Sequence, residues 1–315
     1  MILNLVLLVV GFVLLIKGAD IFVDGASSVA TNFKVSKMLI GLTIVAFGTS
    51  APEFAVSVKS LLSGNGDIVL GNVVGSNILN ILLILGVASL VHTLKVKDNT
   101  VKKEIPITIL FSLVFTVLLT DGLFDKGVAN AFTRSDGIIL ILFFSIFIYY
   151  LFTIMKNKTN DDDSEKMSLF KSFMYVIIGI FGIVFGSNFV VDSASGIASI
   201  LGVSERMIGL TIVALGTSLP ELVTSVVATR RGEYDIAIGN VVGSNIFNIG
   251  MVIGLPTAIL GGIGGVAINY IDLVMMILAA LLLFLFSYKK HTLTKSAGIT
   301  FLILFVIYYA YVILG

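Results

Sequence analysis

Two glutamates, Glu53 and Glu221, stand inside stretches that are otherwise almost wholly apolar, GLTIVAFGTSAPEFAVSV over 41–58 and GLTIVALGTSLPELVTSV over 209–226. A charged side chain at the centre of a bilayer costs at least about 2.5–3.5 kcal/mol on insertion scales, so a motif that accepts this twice points to a use for the charge. Each glutamate follows a proline, Pro52 or Pro220, in a chain with only 4 prolines. Proline inside a helix removes one backbone bond and clashes with the carbonyl one turn earlier. For Pro52 that carbonyl belongs to Gly48, preceded by Phe47 and Ala46. Carbonyls freed in this way turn sideways and can ligate a cation. Helical spacing puts Thr49 and Ser50 on roughly the face of Glu53, and Thr217 and Ser218 on that of Glu221. The next apolar stretch adds Asn72, Ser76 and Asn80 at four-residue intervals, with Asn240, Ser244 and Asn248 as their counterparts. In hydrocarbon such groups need partners, so this face looks inward. Serines and asparagines on one helix would serve helix–helix hydrogen bonding equally well; four matching stripes with two carboxylates point to an ion cage. Every candidate ligand is a hard oxygen, which suits Ca²⁺ with its roughly 6–8 oxygen ligands or the similarly sized Na⁺. Softer transition metals would prefer His or Cys. The two carboxylates match the charge of one Ca²⁺ or two Na⁺.

The elements that position these residues come in duplicate. The two glutamate motifs agree at 13 of 18 positions with an offset of 168, and GNVVGSNILNI over 71–81 agrees with GNVVGSNIFNI over 239–249 at 10 of 11 with the same offset. That offset also aligns Val23-Asp24 with Val191-Asp192, Val35-Ser36 with Val203-Ser204 and Asp67-Ile68 with Asp235-Ile236, without a gap. The halves are repeats of one unit. The glycine pairs Gly71/Gly75 and Gly239/Gly243 have the spacing of close helix contacts.

Hydrophobic residues make up 57% of the 315, charged residues 12%, and mean hydropathy is +1.09, against about 25% charged residues in a soluble domain. The chain therefore reads as an all-α integral membrane protein, embedded in lipid. Spans are expected near 2–27, 38–60, 69–91, 104–121 and 135–155, then 172–196, 207–229, 237–260, 268–287 and 296–314. The first is read as a span and not as a cleaved leader, because it lacks a basic n-region. This gives ten transmembrane helices: a first five-helix repeat over 1–155, a polar cytoplasmic linker over 156–171 and a second five-helix repeat over 172–315. An odd number of spans per half inverts one repeat relative to the other. Fifteen of the 20 Lys and Arg fall on one side of this arrangement and four on the other. The positive-inside rule then sets both termini outside the cell.

Several functions are excluded or disfavoured. Net charge is +1, leaving no bulk attraction for nucleic acid. With 0 Cys, disulfides, thiolate metal sites and cysteine nucleophiles are ruled out. His92 and His291 lie at loop ends, so no Ser–His pair can form within the spans. The chain is not read as an enzyme: an aspartyl dyad would need Asp24 and Asp192, the duplicated aspartates of the long first and sixth spans. Asp20 and Asp24 are given an interfacial structural role, with Lys17 pairing with Asp20 or reaching for the interface. The acidic run Asp161–Asp163 reads as a solvated loop. A channel is disfavoured because duplicated halves with broken helices at mid-membrane suit alternating access.

At GTSAPE and GTSLPE, each followed by GNVVGSN, the chain resembles the cation/calcium exchanger superfamily with its two α-repeats, and is most similar to prokaryotic sodium/calcium exchangers. The resemblance spans essentially the whole chain. It implies ten helices as two inverted five-helix repeats in a prokaryotic cell membrane, with the second, third, seventh and eighth helices forming the ion site. It also implies that the long first and sixth helices slide across that site. By motif position, the implied ligands are Thr49, Ser50, Glu53, Ser76 and Asn80, with Thr217, Ser218, Glu221, Ser244 and Asn248 from the second repeat and the backbone of Ala46 and Ala214. Na⁺ and Ca²⁺ are then transported substrates; no cofactor, nucleic acid or obligate protein partner is implied. Potassium-dependent relatives carry Asp where this chain has Asn248, which implies potassium-independent exchange. Proton-coupled relatives carry a further acidic residue where this chain has Ser76/Asn77 and Ser244/Asn245, which favours Na⁺; calcium/proton antiport is the alternative. The roughly sixteen-residue linker leaves no room for the calcium-sensing insert of animal exchangers.

Overall fold

A computed structural model describes residues 1–125, 128–156, 167–202, 212, 214–264 and 268–314. The chain is helical almost throughout. Helices α1 (Ile2–Phe33), α4 (Gly66–Val91), α6 (Arg134–Met155), α7 (Leu169–Ile200), α9 (Tyr234–Leu260), α10 (Tyr270–Lys290) and α11 (Lys295–Leu314) are each long and apolar enough to cross a bilayer. Between α1 and α4 lie α2 (Lys37–Thr49) and α3 (Ala51–Leu62), which meet at a 46° bend and together are long and apolar enough for a broken span or a re-entrant loop. Helix α5 (Ile105–Leu119) extends a π-helical turn over Thr100–Glu104, and α8 (Leu219–Arg230) follows a single turn over Ala214–Thr217. Most expected spans sit where the apolar runs placed them. The approach to α8, with Val203, Ser204 and Arg206, lies outside the described residues, as do Lys126, Asp161–Asp163 and most of the linker.

Local chemistry sets the ends. Thr133 and Asp136 form a reciprocal capping box at the start of α6. Ser36 caps α2 and Ser168 caps α7 by accepting from backbone N–H groups three residues on. Pro52 and Pro220 occupy the first turns of α3 and α8, where a missing N–H costs nothing.

Helices α1 and α7 have 32 residues each, about 48 Å at 1.5 Å per residue. That exceeds the roughly 30 Å hydrocarbon core, so they tilt or emerge. They pack along each other with almost no side chain between: a Cβ on Gly18 would lie 2.7 Å from the Ile183 nitrogen, and one on Gly182 would lie 2.9 Å from the Gly18 Cα. The most enclosed helix is α9, whose most apolar window is 94% buried, followed by α4 at 72%; α1, at 22%, forms the wall. The polar stripes of α4 and α9 therefore sit in the centre of the bundle. The glycine pairs behave unequally. Gly239 and Gly243 press on Gly41, Leu42 and Ala46 of α2, whereas no described neighbour comes within 4 Å of a Cβ at Gly71 or Gly75.

Charges gather at one end. Arg231 reaches Asp20 at 3.0 Å and also pairs with Asp24, so these aspartates bind an arginine at the end of α8. Lys17 is exposed and forms no ion pair among the described residues; of its two expected roles the pairing with Asp20 is not formed, and the Asp20 carboxylate meets Arg231 instead. Lys37 meets Glu233 at 2.9 Å and Lys97 meets Asp235 at 2.6 Å. At the same end, strands β1 (Leu94–Lys95) and β2 (Thr292–Leu293) pair antiparallel, and His92 stacks on Tyr234.

Candidate functional site

The chain leaves the helical path at two serines. Ser50 (φ −81°, ψ 5°) separates α2 from α3, and Ser218 (φ −90°, ψ 3°) precedes α8. Proline explains both breaks, since Pro52 and Pro220 cannot donate to the carbonyls of Gly48 and Gly216. Gly216 O instead accepts from Ser187 Oγ of α7 at 2.9 Å; the repeat counterpart of Ser187 is Ala19, which has no donor. The Ala46 carbonyl keeps its helical bond, from Ser50 N at 3.0 Å. Where α4 and α9 pass these breaks, each widens into a π-helical turn, at Asn80–Leu85 and at Asn248–Ile253. Such turns recur at functional positions because they rotate side chains out of the α-helical register. A further π-turn, Gly41–Val45, lies just before Ala46.

These irregularities bring the predicted residues of the two halves together. Ser50 Oγ donates 3.0 Å to Glu221 Oε1 and also lies 3.0 Å from Ser244 Oγ. Ser218 Oγ lies 3.4 Å from Ser76 Oγ, and both hydroxyls face the Glu53 carboxylate. Each half's serine thus sits on the other half's glutamate. Thr49 Oγ1 lies 2.9 Å from Asn240 Oδ1, and Asn80 Nδ2 donates 2.9 Å to Asn245 Oδ1. Ala46, Thr49, Ser50, Glu53, Ser76, Asn80, Ser218, Glu221, Ser244 and Asn248 are each no more than 3% exposed. Thr217 is half-buried at the end of its turn, and Ala214 begins that turn.

The unsatisfied atoms reveal what the arrangement can hold. Glu53 Oε2, Glu221 Oε2, Asn80 Oδ1 and Asn248 Oδ1 are buried without a donor. Buried polar atoms are nearly always paired, and these four, all acceptors, belong to the expected ligand residues. Four unpaired acceptors in one place, two of them carboxylate oxygens, call for a positive charge.

Residues beyond the implied ligand set also join the cluster, among them Asn72 and Asn240 of the inward stripes. Asn72 Nδ2 donates to Glu53 O at 3.1 Å and Ser57 Oγ at 3.0 Å, and Asn240 Nδ2 does the same to Glu221 O at 3.3 Å and Ser225 Oγ at 3.0 Å. Asn245 bridges Asn80 to the Asn77 carbonyl, to which it donates at 3.3 Å. The available signal was identity between the halves: Ser57 matches Ser225 and Asn77 matches Asn245. Away from the cage, Tyr150 of α6 donates to the buried carboxylate of Glu104, and Tyr308 of α11 donates to Asp272 at 3.0 Å. Glu104 and Asp272 are again 168 apart.

The chain has relatives among known proteins along most of its length. The family described as sodium/calcium exchanger protein matches residues 3–153 and 171–314. The sodium/calcium exchanger MaX1 of Methanosarcina acetivorans is 34% identical over 80% of this chain and 82% of its own length. The inner membrane protein YrbG of Escherichia coli is 36% identical, covering 83% of this chain and 82% of its own. Among solved structures, the sodium-calcium exchanger NCX_Mj soaked with Na⁺ and Sr²⁺ matches with a TM-score of 0.85 at 33% identity, covering 98% of both chains. With both halves matched and a cage of oxygens between them, this chain is a member of the sodium/calcium exchanger protein family.

Proposed function

We propose that the chain is a secondary antiporter exchanging Na⁺ for Ca²⁺ by alternating access, without potassium. Its ten helices are two inverted five-helix repeats, 1–155 and 172–315, joined by a cytoplasmic linker at 156–171, and both termini lie outside the cell. The cage is formed by Thr49, Ser50, Glu53, Ser76 and Asn80 with Thr217, Ser218, Glu221, Ser244 and Asn248, joined by the backbone of Ala46 and Ala214. The observation that carries this reading is the set of four donorless acceptors, two of them on glutamates that face the other half's serines. A cation with six or more oxygen ligands satisfies all four at once. The acid–tyrosine pairs support the inverted topology: in this orientation Glu104–Tyr150 falls at the cytoplasmic end of its half and Asp272–Tyr308 at the external end of the other.

The test is ⁴⁵Ca²⁺ uptake into proteoliposomes under outward gradients of sodium, potassium or protons, with the membrane potential clamped. Uptake driven by sodium, with choline replacing all potassium, is expected. Uptake driven by protons alone would replace this reading with calcium/proton antiport.

A further inference from the structure

A hydroxyl ligand meets a cation through an oxygen lone pair, so its proton must rest on some other acceptor. Thr49 is a proposed ligand with several acceptors near its hydroxyl. Val45 O at 3.1 Å and Ala46 O at 3.3 Å are carbonyls of its own helix, and Asn240 Oδ1 at 2.9 Å belongs to α9 of the other half. The Glu221 carboxylate is a fourth. Ala46 O is already taken by Ser50 N. Back-bonding to Val45 is the ordinary habit of a helical threonine and would orient the hydroxyl in any helix. Asn240 is the nearest acceptor of those measured, and its amide cannot be turned round. Its Nδ2 donates to Glu221 O and Ser225 Oγ; a carbonyl can only accept, so the nitrogen faces that way and Oδ1 faces Thr49. The side chain is fully buried, so no solvent substitutes for it.

We infer that Asn240 is a positioning residue that takes the Thr49 proton away from the cage and so presents the Thr49 lone pair to the transported cation. In the empty site the Thr49 proton can rest on Glu221. When a cation occupies Glu221 that proton must leave the cage side, and Asn240 Oδ1 is the fixed place for it. The same amide grips the backbone of Glu221, so one residue ties a ligand of the first half to the helix bearing the second half's carboxylate. Asn72 is anchored in the same way on Glu53 O and Ser57 Oγ of the first half. The inference rests on the exchange reading above.

A plain staple between α8 and α9 would act whether or not Thr49 carried a hydroxyl, and this separates the two roles. Equilibrium ⁴⁵Ca²⁺ binding to the purified full chain is measured for the wild type, Thr49→Val, Asn240→Ala and the double variant, with Asn240→Asp as the conservative rescue. An oriented hydrogen bond is worth about 1 kcal/mol, so Thr49→Val is expected to weaken Ca²⁺ binding about fivefold in the wild type. In Asn240→Asp, which keeps the acceptor, the ratio should also be about fivefold; in Asn240→Ala it should fall below about twofold. Taking the ratio within each background cancels the added charge of the aspartate. If Asn240→Ala does not yield a monodisperse protein, Asn240→Leu fills the volume without an acceptor and replaces it in the cycle. Equal ratios in all backgrounds would overturn the inference while leaving the exchange reading intact. A wild type that binds no Ca²⁺ would overturn the exchange reading, and the inference with it.

Discussion

Replacing Glu221 by Gln keeps the shape of the cage and removes one of its two charges, so the size of the effect should depend on the charge of the cargo. Glu221 is 1% exposed and offers Oε1 to Ser50 while Oε2 has no donor. Two unit charges about 4 Å apart interact by about 4 kcal/mol at an effective dielectric of about 20. For a divalent ion this doubles to about 8 kcal/mol, while for Na⁺ it stays at about 4. If the glutamine oxygen recovers about half as a neutral ligand, about 4 kcal/mol is lost for Ca²⁺ and about 2 for each Na⁺ contact, or about 1,000-fold and 30-fold in affinity. The empty protein should move the opposite way, because two like charges buried together strain it. Expected outcomes are near-complete loss of Ca²⁺ flux in proteoliposomes, a far smaller loss of Na⁺ binding, and an unfolding temperature of the ion-free variant at or above that of the wild type. Calcium should also stop raising that temperature, since binding to the native state is what stabilises it. Glu53→Gln should behave alike. Calcium affinity within tenfold of the wild type, or equal losses for both ions, would refute the charge argument.

Sodium and calcium should displace one another from a single site: ⁴⁵Ca²⁺ binding titrated with Na⁺ at constant ionic strength should fall with a Hill coefficient above one, and calcium binding unchanged at saturating Na⁺ would rule out a shared cage. Tyr150→Phe leaves the buried Glu104 carboxylate without its donor, a loss of about 1–3 kcal/mol; thermal unfolding should come earlier with Ca²⁺ affinity unchanged, and Glu104→Leu in the same chain should recover much of the difference. Arg231→Ser, the residue of the first repeat at this place (Ser63), should raise the labelling rate of a cysteine introduced at the buried Thr229 from the cytoplasmic side, an assay made clean by the absence of native cysteine. An unchanged labelling rate would show that the Arg231 pairs do not restrain that face.

The buried polar cluster was legible in the sequence because duplication writes most of its members twice. Glu53 with Glu221, Ser50 with Ser218 and Asn80 with Asn248 stand out as polar identities inside apolar runs, and Pro52 and Pro220 mark where the helices break. Helical periodicity placed each residue on a face of its own helix but is silent about the other half. The crossing of serines was therefore not legible: that Ser50 reaches Glu221 and Ser244 depends on how α2 meets α9. The π-turns at Asn80 and Asn248 were hidden for a similar reason, since a single residue's shift in the hydrogen-bond ladder leaves the apolar pattern unchanged. Glu104 looked like a residue at a span's edge, and only its contact with Tyr150, 46 residues on, makes it a buried carboxylate. Of the two roles open to Lys17, pairing with Asp20 is not the one taken, because Asp20 meets Arg231, 211 residues away in the chain and beyond the reach of local spacing.

The cage is duplicated but the faces of the protein are not. Arg231, Glu233 and Asp20 correspond in the other half to Ser63, Asn65 and Asn188, and Lys97 corresponds to Gly265. An exchanger made of two perfectly equivalent halves would open to either side with equal ease, because inverting it would give back the same molecule. Any preference must therefore come from positions at which the halves differ. Each of the ion pairs Arg231–Asp20, Arg231–Asp24, Lys37–Glu233 and Lys97–Asp235 has at least one member at such a position, and all join the α8–α9 end to α1, α2 or the turn after β1. Partly exposed pairs contribute about 0.2–1 kcal/mol each and are screened by salt. Four of them amount to roughly 1–3 kcal/mol, enough to shift a two-state population by about ten- to a hundredfold. On the proposed exchange reading, a symmetric cage would set which ions are carried, and the asymmetric charges would set which way the unloaded protein faces.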